Sequence, residues 1–588
     1  MKITALIKFP KTQKSTEEFC YAFYNPIKKL VAYHYKEVYE VLNAVEEAAK
    51  EGFWCIGYIR YEAAPAFDNS FKTYKSNDPL VWFSVHNHPK KWPLNILQKE
   101  QAKVQWSEHL KRNEFNRAIT SIHKSIRLGD VYQVNYTAPF YGLLKGKSIE
   151  LFGALLRAQP QSYAAYINSE HEEILSLSPE LFFDWITEKN SGDILTRPMK
   201  GTIARGNTPE EDNSLIQKLR TNPKELSENL MIVDLLRNDL SRIAQIGSIE
   251  VPLLFHIQKF ATVSQMSSDI IAKTKENIRL FDIFNALFPC GSITGAPKIR
   301  SMQIIHQLEK KPRGIYCGAI GLVHSNSKKN KIRAIFNVSI RTVIIQNKQC
   351  ISHIGSGITS EAQSENEWQE WNIKRKFIER ASQPFDIIEK LALLNGEFRN
   401  LKEHIERLAK TAKHFEYPCN LKSLQINLEK LKSTYKNGIW HIRIKLNRKG
   451  EVDIKTYILK KTKEPVQLKL AKAPFRQAQN NEFVDYKTTN RAHYRPFQSN
   501  QKNIFDTLLW NQSGQITETT FGNIAAFINN KWITPPLSSG LLPGIGRMLA
   551  LREGKIIESI LNIENITEVN KWAFINSSRG WLQAQVSK

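Results

Sequence analysis

The sequence predicts a two-domain α/β protein from its length, from alternating strand-like and helix-like segments, and from one boundary in the second half. At 588 residues the chain is too long for one core, because single domains usually span about 100–250 residues. Hydrophobic residues make up 41% and charged residues 24%, which is typical of globular proteins. Collagen-like, disulfide-rich and membrane-embedded classes are therefore excluded.

The domain boundary is predicted at about residues 381–385. Pro384 disfavours a helix through Gln383, so a segment should end there. No internal repeat is visible across this boundary, which indicates two unrelated modules. We expect domains at 1–381 and 385–588.

Each module mixes helical and strand-like segments. Before the boundary, 174–186 and 332–345 alternate as strands do, whereas 225–240 and 298–310 have helical periodicity. After it, 397–415 is predicted as a helix, 439–446 and 525–535 as strands, and 538–554 as a glycine-rich loop leading into a helix. Both modules are therefore expected to be α/β.

The net charge of +26 raises the question of nucleic acid binding. Lys and Arg are spread through the chain and no nucleic-acid-binding motif concentrates them, so a solvated lysine-rich surface is the simpler interpretation. A basic nucleic-acid-binding protein remains an alternative that only the charge supports.

A soluble cytoplasmic protein is expected, without a membrane or nucleic acid partner. The six cysteines are scattered, without C-x-x-C spacing, as suits a reducing compartment. Lys8, Pro10 and Lys11 interrupt the first apolar run before a signal peptide could form. No stretch approaches the roughly 20 apolar residues of a membrane span.

Two pairs of glutamates share one spacing in the first module. Glu225 and Glu228 project from one face of a predicted helix, and Glu367 and Glu370 repeat the i,i+3 arrangement. Oxygen ligands without His or Cys suit Mg²⁺. Solvated acids near helix starts are the alternative explanation on spacing alone.

Two glycine-rich segments of the first module could bind an anion. GSITGAPK at 291–298 leads into a helix, and HIGSGIT places Gly355, Ser356 and Gly357 after a strand. Backbone amides at such turns can hold a carboxylate or phosphate, although ordinary turns would look the same. Arg341 could add a bidentate clamp for a carboxylate.

Taken together, the segments of the first module resemble the chorismate-utilising enzymes, in particular the large subunit of aminodeoxychorismate synthase. The resemblance covers residues 50–380. The matching segments, in order, are GYIRYEAAPAFD, GDVYQVNYT, ILSLSPELFF, RPMKGTIARG, KELSENLMIVDLLRNDL, LFPCGSITGAPK, YCGAIG, FNVSIRT and GSGITSEAQSENEWQE.

This resemblance implies a two-sheet sandwich with outer helices that holds a magnesium site and a chorismate site. The Mg²⁺ ligands would be Glu228 and Glu370, supported by Glu225 and Glu367. The implied substrate-binding residues are Gln133, Thr202, Thr294, Gly295, Tyr316, Arg341, Gly355, Ser356 and Gly357.

Lys200 in PMKGT separates two branches of the resembling enzymes. Members that make anthranilate usually carry a small residue there, whereas the aminodeoxychorismate branch has lysine. By resemblance, the Lys200 amine adds to the chorismate ring and expels the hydroxyl at carbon four, and ammonia then displaces the lysine. Glu180 would protonate the leaving hydroxyl. Relatives that add water carry lysine at the position of Gln133, so glutamine there favours ammonia as the nucleophile. Gln265 is a departure, because several relatives have histidine there.

The second module contains a lysine, an acid and a glycine turn that suit pyridoxal phosphate (PLP). Lys487 follows an apolar, strand-like approach and could bond to the PLP aldehyde. Glu518 supplies the acid that the pyridine nitrogen requires. Gly544, Ile545 and Gly546 begin a predicted helix whose amides could hold the phosphate.

Residues 385–588 resemble the fold-type IV PLP enzymes, particularly 4-amino-4-deoxychorismate lyase. The segments that carry this resemblance are EHIERLAKTAKHF, IRIKL, DYKTTNR, GQITETTFGNIAAF and GLLPGIGR. The resemblance implies that Lys487 holds PLP, that Glu518 pairs with its ring nitrogen, and that Arg407 with Ile545 and Gly546 binds its phosphate. Branched-chain and D-amino-acid aminotransferases share these features, so a transaminase remains an alternative.

Two positions of the second module depart from the resembling enzymes. Threonine usually stands where this chain has Gly546, which removes a hydroxyl but leaves the backbone amide. Glu389 is followed by Lys390 where many relatives have a threonine that assists proton transfer. Proton handling is therefore expected to differ or to be impaired.

The two resemblances together imply a bifunctional enzyme of 4-aminobenzoate and folate synthesis. Chorismate and ammonia would give 4-amino-4-deoxychorismate, and elimination of pyruvate would give 4-aminobenzoate. No glutaminase module is visible, so ammonia is expected from a separate glutamine amidotransferase subunit. An anthranilate synthase large subunit is the alternative for the first module, and a transaminase or an inactive PLP domain for the second.

Overall fold

The computed structural model describes most of the chain in two compact units, Met1–Pro384 and Phe385–Lys588. The described residues are 2–11, 18–93, 97, 102–107, 110–159, 162–188, 191–204, 209–259, 263–325, 331–382, 384–415, 417–475, 482–499, 501 and 503–587.

The first unit is rich in strands. In chain order they are β1 (Ile3–Phe9), β2 (Phe19–Tyr24), β3 (Lys28–Ala32), β4 (Trp54–Ile59), β5 (Val81–His86), β6 (Lys103–Ser107), β7 (Gln133–Lys145), β8 (Tyr163–Asn168), β9 (Glu173–Ser178), β10 (Leu181–Glu188), β11 (Ser191–Arg197), β12 (Met199–Ala204), β13 (Glu250–Lys259), β14 (Val263–Lys273), β15 (Gly295–Ala296), β16 (Ala319–Ser325), β17 (Ile332–Val338), β18 (Thr342–Gln346) and β19 (Gln349–Ile358).

Helices of the same unit connect these strands. They are α1 (Val38–Lys50), α2 (Arg112–Arg127), α3 (Ser148–Ala158), α4 (Pro209–Thr221), α5 (Pro223–Ser241), α6 (Leu280–Leu287), α7 (Lys298–Leu308) and α8 (Ser364–Ser382). Helix α5 begins two residues before the predicted segment 225–240, where the Asn222 side chain accepts a hydrogen bond from the Lys224 amide at 3.0 Å and Pro223 occupies the first turn.

The strands of the first unit form two large sheets within the described residues. The first sheet has the order β15-β7-β19-β18-β9-β8-β1-β2, with β6 beside β7. The second has the order β12-β14-β11-β10-β17-β16-β4-β5-β3, with β13 beside β14. The long-range antiparallel pairing joins segments far apart in the chain, such as β10 with β17.

Strand β1 shows how the two sheets pack. Its alternate residues Ala5, Ile7 and Phe9 join a core between the sheets, together with Ile320 and other residues of the second sheet. Leu6 points the other way, into a core that α3 and α8 cover. Helices α1, α5 and α6 cover the outer face of the second sheet. This arrangement confirms the predicted two-sheet sandwich with outer helices.

Local details correct the sequence predictions in three places. The predicted strand 174–186 is two strands separated at Pro179, and 332–345 is likewise divided into β17 and β18. Lys200 lies within strand β12. The segment 355–357 lies within strand β19, because it pairs along β7 instead of forming a turn.

The second unit has its own strands and helices. The strands are β20 (Ile387–Leu394), β21 (Glu397–Phe398), β22 (Ile439–Leu446), β23 (Val452–Ile458), β24 (Val466–Leu470), β25 (Asp506–Trp510), β26 (Ile516–Thr519), β27 (Asn523–Ile528), β28 (Lys531–Thr534), β29 (Ile557–Glu558), β30 (Lys571–Asn576) and β31 (Gly580–Ser587). The helices are α9 (Leu401–Phe415), α10 (Leu421–Thr434), α11 (Glu482–Asp485) and α12 (Ile545–Arg552).

Two sheets organise the described part of this unit. One has the order β21-β20-β22-β23, and α9 and α10 pack on it through Leu408 and Leu428. The other has the order β26-β25-β24-β31-β30-β27-β28-β29 and mixes parallel with antiparallel pairs. The predicted α/β class is therefore confirmed for this unit as well.

Two predictions for the second unit need correction. The segment 525–535 is a hairpin of β27 and β28, because Asn529 and Asn530 both take positive φ angles, 49° and 61°. The approach to Lys487 is the short helix α11, not a strand. Across the described ranges of both units, no helix is long and apolar enough to cross a membrane.

Candidate active sites

The first unit contains a cavity of about 150 Å³ that collects most of the predicted site residues. Strand β12 contributes Lys200, and helices α5 and α8 contribute the four glutamates. The predicted residues that line it are Glu180, Lys200, Glu225, Glu228, Tyr316, Arg341, Gly355, Ser356, Gly357, Glu367 and Glu370. Residues from seven separate segments of the chain therefore converge on one cavity.

Ser292 connects the two predicted catalytic groups of this cavity. Its hydroxyl donates to Glu180 Oε1 at 2.7 Å, and its carbonyl oxygen accepts from Lys200 Nζ at 3.4 Å. Burial raises the pKa of Glu180 to about 7, although Ser292 and Lys200 partly oppose the shift. A protonated carboxyl group is therefore available near neutral pH, beside an amine.

Gln133 and Lys200 both approach Gly357 on β19. A Cβ added to Gly357 would lie 2.0 Å from Gln133 Nε2 and 3.1 Å from Lys200 Nζ. Among the described residues, the fully buried Gln133 amide has no hydrogen-bond partner for its nitrogen or its oxygen. Glycine at position 357 therefore allows the Gln133 and Lys200 side chains to lie close to this strand. Gln133 does not line the cavity itself, and its amide nitrogen and oxygen have no hydrogen-bond partner among the described residues.

The four glutamates carry negative charge on one side of the cavity, and two lysines lie among them. Lys374 Nζ is 2.6 Å from Glu370 Oε1 and 3.0 Å from the Gly355 carbonyl oxygen. Lys224 Nζ lies 3.8 Å from Glu228 Oε1 and 3.9 Å from Glu367 Oε1. The carboxylates are therefore partly neutralised by the chain's own ammonium groups.

The pKa values of the glutamates reflect how close these acids lie to one another. Burial and the neighbouring Glu228 raise the pKa of Glu225 to about 7. Burial and Glu370 raise the pKa of Glu367, whose Oε2 also accepts from Ser356 at 2.6 Å. Burial opposes charge on Glu370 as well, but Lys374 outweighs it and lowers the pKa of Glu370. Adding a cation to this group of acids would be favourable.

The donor set fits Mg²⁺ better than a transition metal. The four glutamate side chains offer only oxygen atoms to a metal ion. Mg²⁺ is typically held by one or two carboxylates, with water and substrate oxygens completing its shell. Within the described residues, no three His, Cys, Asp or Glu side chains already form a metal-binding group. Glu228 and Glu370 are compatible with the two-carboxylate kind of site.

Arg341 and Tyr316 also line the cavity. Arg341 is half-buried, and loss of solvent around it lowers its pKa to about 10. Its backbone has φ 51°, which is uncommon for a residue with a side chain and concentrates at functional positions. The Tyr316 ring stacks on His353 with centroids 4.9 Å apart. A planar, anionic molecule would meet a cation and a flat aromatic surface here.

Three predicted substrate-binding residues are placed differently. The Thr294 hydroxyl donates to backbone carbonyls of Cys290 and Gly291 at 3.1 and 3.3 Å, so it points into the protein. Gly295 pairs with Val134 in the first sheet. Neither of these two lines the cavity. The side chain of Thr202, in β12, lies outside what the structure describes.

The second unit contains a separate cavity of about 250 Å³ around Lys487. Four of the five predicted PLP-binding residues line it: Arg407, Lys487, Glu518 and Ile545. The Ile388 amide donates to the Lys487 carbonyl at 3.1 Å, which fixes the lysine backbone against β20. Burial, together with the nearby Arg407, lowers the pKa of Lys487 to about 7. Its amine is therefore available as a nucleophile near neutral pH.

Glu518 is a buried acid with three neighbours that donate hydrogen bonds. Tyr494 Oη donates to its Oε1 at 2.5 Å, and the Leu542 amide and Asn523 Nδ2 donate to its Oε2 at 3.2 and 3.4 Å. Burial nevertheless raises its pKa to about 7. This carboxyl group is rigidly held and can share a proton with a ring nitrogen.

Arg407 is held in place by Glu389. Two parallel hydrogen bonds of 2.7 Å join the guanidinium to the carboxylate, and His404 Nδ1 lies 2.7 Å from the same carboxylate. Burial would raise the pKa of Glu389, but Arg407 outweighs it and holds the pKa at about 2. A guanidinium has five N–H groups, so it can donate to a phosphate as well.

The predicted phosphate turn lies at the start of α12. A Cβ on Gly544 would lie 1.9 Å from Asn523 Oδ1, so only glycine, which has no side chain, fits at this position. Gly546 does not line the cavity, but it lies in the first turn of α12, and a Cβ there would be 3.0 Å from Ile575 Cγ2. The close packing explains why a residue larger than glycine would be crowded at position 546. The site therefore fits PLP through Lys487, Glu518, Arg407 and the Ile545 end of the helix.

Sequence reasoning missed several residues of both cavities. Ser292, Lys224 and Lys374 lie inside or beside the quoted segments of the first module, but they look like ordinary polar residues without the tertiary contacts. In the second unit, Tyr494 lies seven residues after Lys487. Its hydrogen bond to Glu518 could not be inferred from that spacing.

Comparisons with known proteins match each unit to a family. A family model described as chorismate binding enzyme matches residues 9–380. The chain belongs to the chorismate-binding enzyme family. Residues 386–586 match a second model, described as amino-transferase class IV, a family that depends on PLP. Both families are enzyme families, so the protein is an enzyme.

Curated relatives match the first unit. Aminodeoxychorismate synthase component 1 is 36% identical in Salmonella typhimurium over 49% of this chain and 60% of that protein. The Escherichia coli protein of the same name is 38% identical over 45% of this chain and 56% of that protein. Anthranilate synthase component 1 of Aquifex aeolicus is 33% identical over 49% and 56%. The chain thus spans only about 56–60% of the length of these relatives.

Solved structures support the fold of the first unit. Anthranilate synthase component I from Streptococcus pneumoniae has a TM-score of 0.50 at 21% identity and covers 64% of this chain and 92% of its own. The menaquinone-specific isochorismate synthase MenF from Escherichia coli also has a TM-score of 0.50, at 17% identity, with 65% and 89% covered. At these identities the similarity concerns the fold alone.

Proposed function

We propose that this enzyme makes 4-aminobenzoate by two consecutive reactions, one in each unit. The first unit would convert chorismate and ammonia to 4-amino-4-deoxychorismate and water. The second would cleave that product to 4-aminobenzoate and pyruvate. The observation that carries the proposal is the convergence of Lys200 and Glu180 on one cavity, joined through Ser292.

In the first unit, Lys200 is the proposed nucleophile and Glu180 the proposed acid. The Lys200 amine forms a bond to the chorismate ring while the carbon–oxygen bond at carbon four breaks. Glu180, whose pKa near 7 keeps it protonated, gives its proton to the leaving hydroxyl. Ammonia then forms the new carbon–nitrogen bond at carbon four and releases Lys200. Gln133 is uncharged and cannot activate water as a base would, which favours ammonia.

Mg²⁺ would be held by Glu228 and Glu370, with Glu225 and Glu367 close by. When bound, the ion supplies positive charge for a carboxylate of chorismate. Arg341 and the amides of 355–357 would hold the rest of the substrate by charge-assisted hydrogen bonds. Lys224 and Lys374 keep the glutamates together before metal binds.

Ammonia would come from a separate subunit. The curated relatives are named component 1, which is the name of one part of a multi-component enzyme. A glutamine amidotransferase is the proposed partner, because it would release ammonia at the point of use.

In the second unit, Lys487 would carry the cofactor and move protons at the amine carbon. When bound, PLP supplies an aldehyde for the substrate amine and an electron-accepting ring. Glu518 holds the ring nitrogen, and Arg407 with the Ile545 and Gly546 amides holds the phosphate. The pKa of Lys487 near 7 lets this amine both take up and return a proton near neutral pH.

Other activities within the same families are distinguishable. The Aquifex relative is an anthranilate synthase component, but Lys200 favours the aminodeoxychorismate branch. The class IV match also includes aminotransferases, which would transfer the amine instead of releasing pyruvate.

A product assay tests the proposal. Purified full-length protein is incubated with chorismate, ammonium salt, Mg²⁺ and PLP, and the products are separated by chromatography. We expect 4-aminobenzoate and pyruvate in equal amounts. Anthranilate would overturn the proposal for the first unit. Accumulating aminodeoxychorismate without pyruvate would overturn it for the second.

A further inference from the structure

The cavity of the second unit carries more positive charge than the proposed cofactor contacts use. Besides Arg407 and Lys487, it is lined by Lys390, His441, Arg491 and Arg579. These four residues are here called the cationic wall. Three of them, Lys390, Arg491 and Arg579, are basic side chains, whereas Glu518 is the one carboxylate among the described lining residues and already accepts a hydrogen bond from Tyr494.

The contacts described for the cationic wall are with neutral groups. Arg491 donates to the Thr520 carbonyl and lies over the Tyr494 ring at 4.4 Å. Arg579 donates to the Lys460 carbonyl at 3.3 Å and to the Thr462 hydroxyl. None of these contacts neutralises the charge of an arginine, and both arginines line the cavity, where the charge of Arg491 also acts on Glu518.

The members of the wall also repel one another. Burial lowers the pKa of Lys390, and Arg491 and Arg443 lower it further. Burial lowers the pKa of His441 to about 4, with Lys390 and Arg579 contributing. Like charges in one place raise the free energy of the empty site, and an anion relieves that cost.

Lys390 lies near the reacting lysine, because its charge is among those that lower the pKa of Lys487. It is two residues after Ile388 on β20, whose amide bonds to the Lys487 carbonyl, and both Ile388 and Lys390 face the cavity. The proposed phosphate contacts, in contrast, come from Arg407 and the start of α12. The wall therefore faces the part of the cavity that is left for substrate.

We propose that the cationic wall is an anion subsite for substrate carboxylates and that Lys390 determines specificity within it. This inference rests on the proposed function of the second unit. One carboxylate would neutralise one of three cations, so the wall fits an amine substrate with two carboxylates better than an amino acid with one carboxylate and an apolar side chain. In this role the Lys390 side chain binds a substrate carboxylate and does not transfer protons.

Binding of an unreactive dicarboxylate tests the subsite without turnover. Benzene-1,3-dicarboxylate has no amine and cannot react with PLP, and benzoate is its monocarboxylate control. Isothermal titration calorimetry on the full PLP-loaded chain gives the dissociation constants. The first cavity can also bind this probe, but its contribution is common to wild type and Lys390 variants, so the difference reports the second unit.

We expect Lys390→Gln to weaken binding of the dicarboxylate by about tenfold or more, as loss of a charge-assisted hydrogen bond does. Lys390→Arg should stay within about threefold of wild type, because it keeps the charge. Lys449→Gln, in an exposed turn, should match wild type. The visible absorption band of bound PLP and the thermal midpoint verify that each variant is folded and loaded.

The outcomes separate the two hypotheses. Wild-type protein without a PLP band would overturn the proposed function of the second unit and this subsite with it. A PLP band with identical dicarboxylate binding in wild type and Lys390→Gln would overturn the subsite alone. Unchanged binding with slower turnover of aminodeoxychorismate in both Lys390→Gln and Lys390→Arg would assign Lys390 to proton transfer instead.

Discussion

The two cavities each place a lysine beside a buried acid, but they surround it with opposite charge. Lys200 lies in a cavity with Glu180 and four further glutamates. Lys487 lies among Arg407, Arg491 and Lys390, and its pKa is lowered to about 7. The excess of acid suits a metal cation, whereas the excess of base suits phosphate and carboxylates. The sign of the surrounding charge therefore separates two uses of the same amine.

The buried acids of the two cavities have similar pKa values, whereas the two lysines differ in the charges around them. Burial raises the pKa of both Glu180 and Glu518 to about 7. Glu180 accepts from the Ser292 hydroxyl, and the Ser292 carbonyl oxygen accepts from Lys200, whereas Glu518 is fixed by a phenol and a backbone amide. One acid is therefore linked to its lysine through a shared serine, as proton delivery requires, and the other is held by groups that do not contact its lysine in the described hydrogen bonds, as ring anchoring requires.

The largest expected effect is that of Lys487→Ala on the second unit alone. Pyruvate release should fall by about 1,000-fold or more, because a catalytic nucleophile is removed, and the protein should lose the absorption band that borohydride bleaches in wild type. Aminodeoxychorismate should accumulate. Lys449→Ala serves as the control. Retention of 4-aminobenzoate formation would contradict the role of Lys487.

Lys200→Ala should produce the converse result. Ammonia-dependent consumption of chorismate should fall by about 1,000-fold or more, while the PLP band and the cleavage of added aminodeoxychorismate stay at wild-type levels. Some anthranilate is expected as a by-product. Lys145→Ala, on an exposed position of β7, is the control. Normal aminodeoxychorismate formation in Lys200→Ala would refute covalent catalysis.

Glu228→Gln and Glu370→Gln should affect only the acidic cavity. Each replaces an anionic oxygen ligand by a neutral amide, so the Mg²⁺ concentration for half-maximal rate should rise by about 10–100-fold. Glu365→Gln, on the exposed face of α8, is a matched control. Magnesium titrations of the first reaction measure the effect, and identical titration curves for both variants and wild type would contradict the assignment.

The pH dependence of the two units should have opposite sign. The raised pKa keeps Glu180 protonated up to about pH 7, so the first reaction should slow as pH rises through 7, measured at a fixed concentration of unprotonated ammonia. The lowered pKa leaves Lys487 neutral above about pH 7, so capture of PLP by the apoprotein should speed up as pH rises through 7.

The rate of the first reaction should fall by about tenfold per pH unit above the pKa of Glu180, and the rate of PLP capture should rise by about tenfold per pH unit up to the pKa of Lys487 and then level off, as expected for single titrating groups. Stopped-flow absorbance follows PLP capture, and product analysis follows the first reaction. Two profiles of the same sign would show that the contrast in charge does not control these groups.

Much of this protein could be predicted from sequence because the signals are local. The caps and periodicity of α5 place Glu225 and Glu228 on one helix, and the i,i+3 spacing puts them on one face. Gly544, Ile545 and Gly546 start α12 as the loop-to-helix pattern indicates. Local spacing, helix starts and the ordered segments of the two families therefore determined the fold class and the candidate residues.

Only the tertiary structure decided how those residues meet. Ser292 reaches Glu180 across 112 residues of sequence, Lys200 sits in a strand whose partner is β14, and the cationic wall brings Lys390 and Arg579 to one cavity. Sheet register and packing of distant segments set these contacts, and neither is encoded in local spacing. The sequence alone could name the lysines, but the charges that surround each lysine depend on long-range strand pairing.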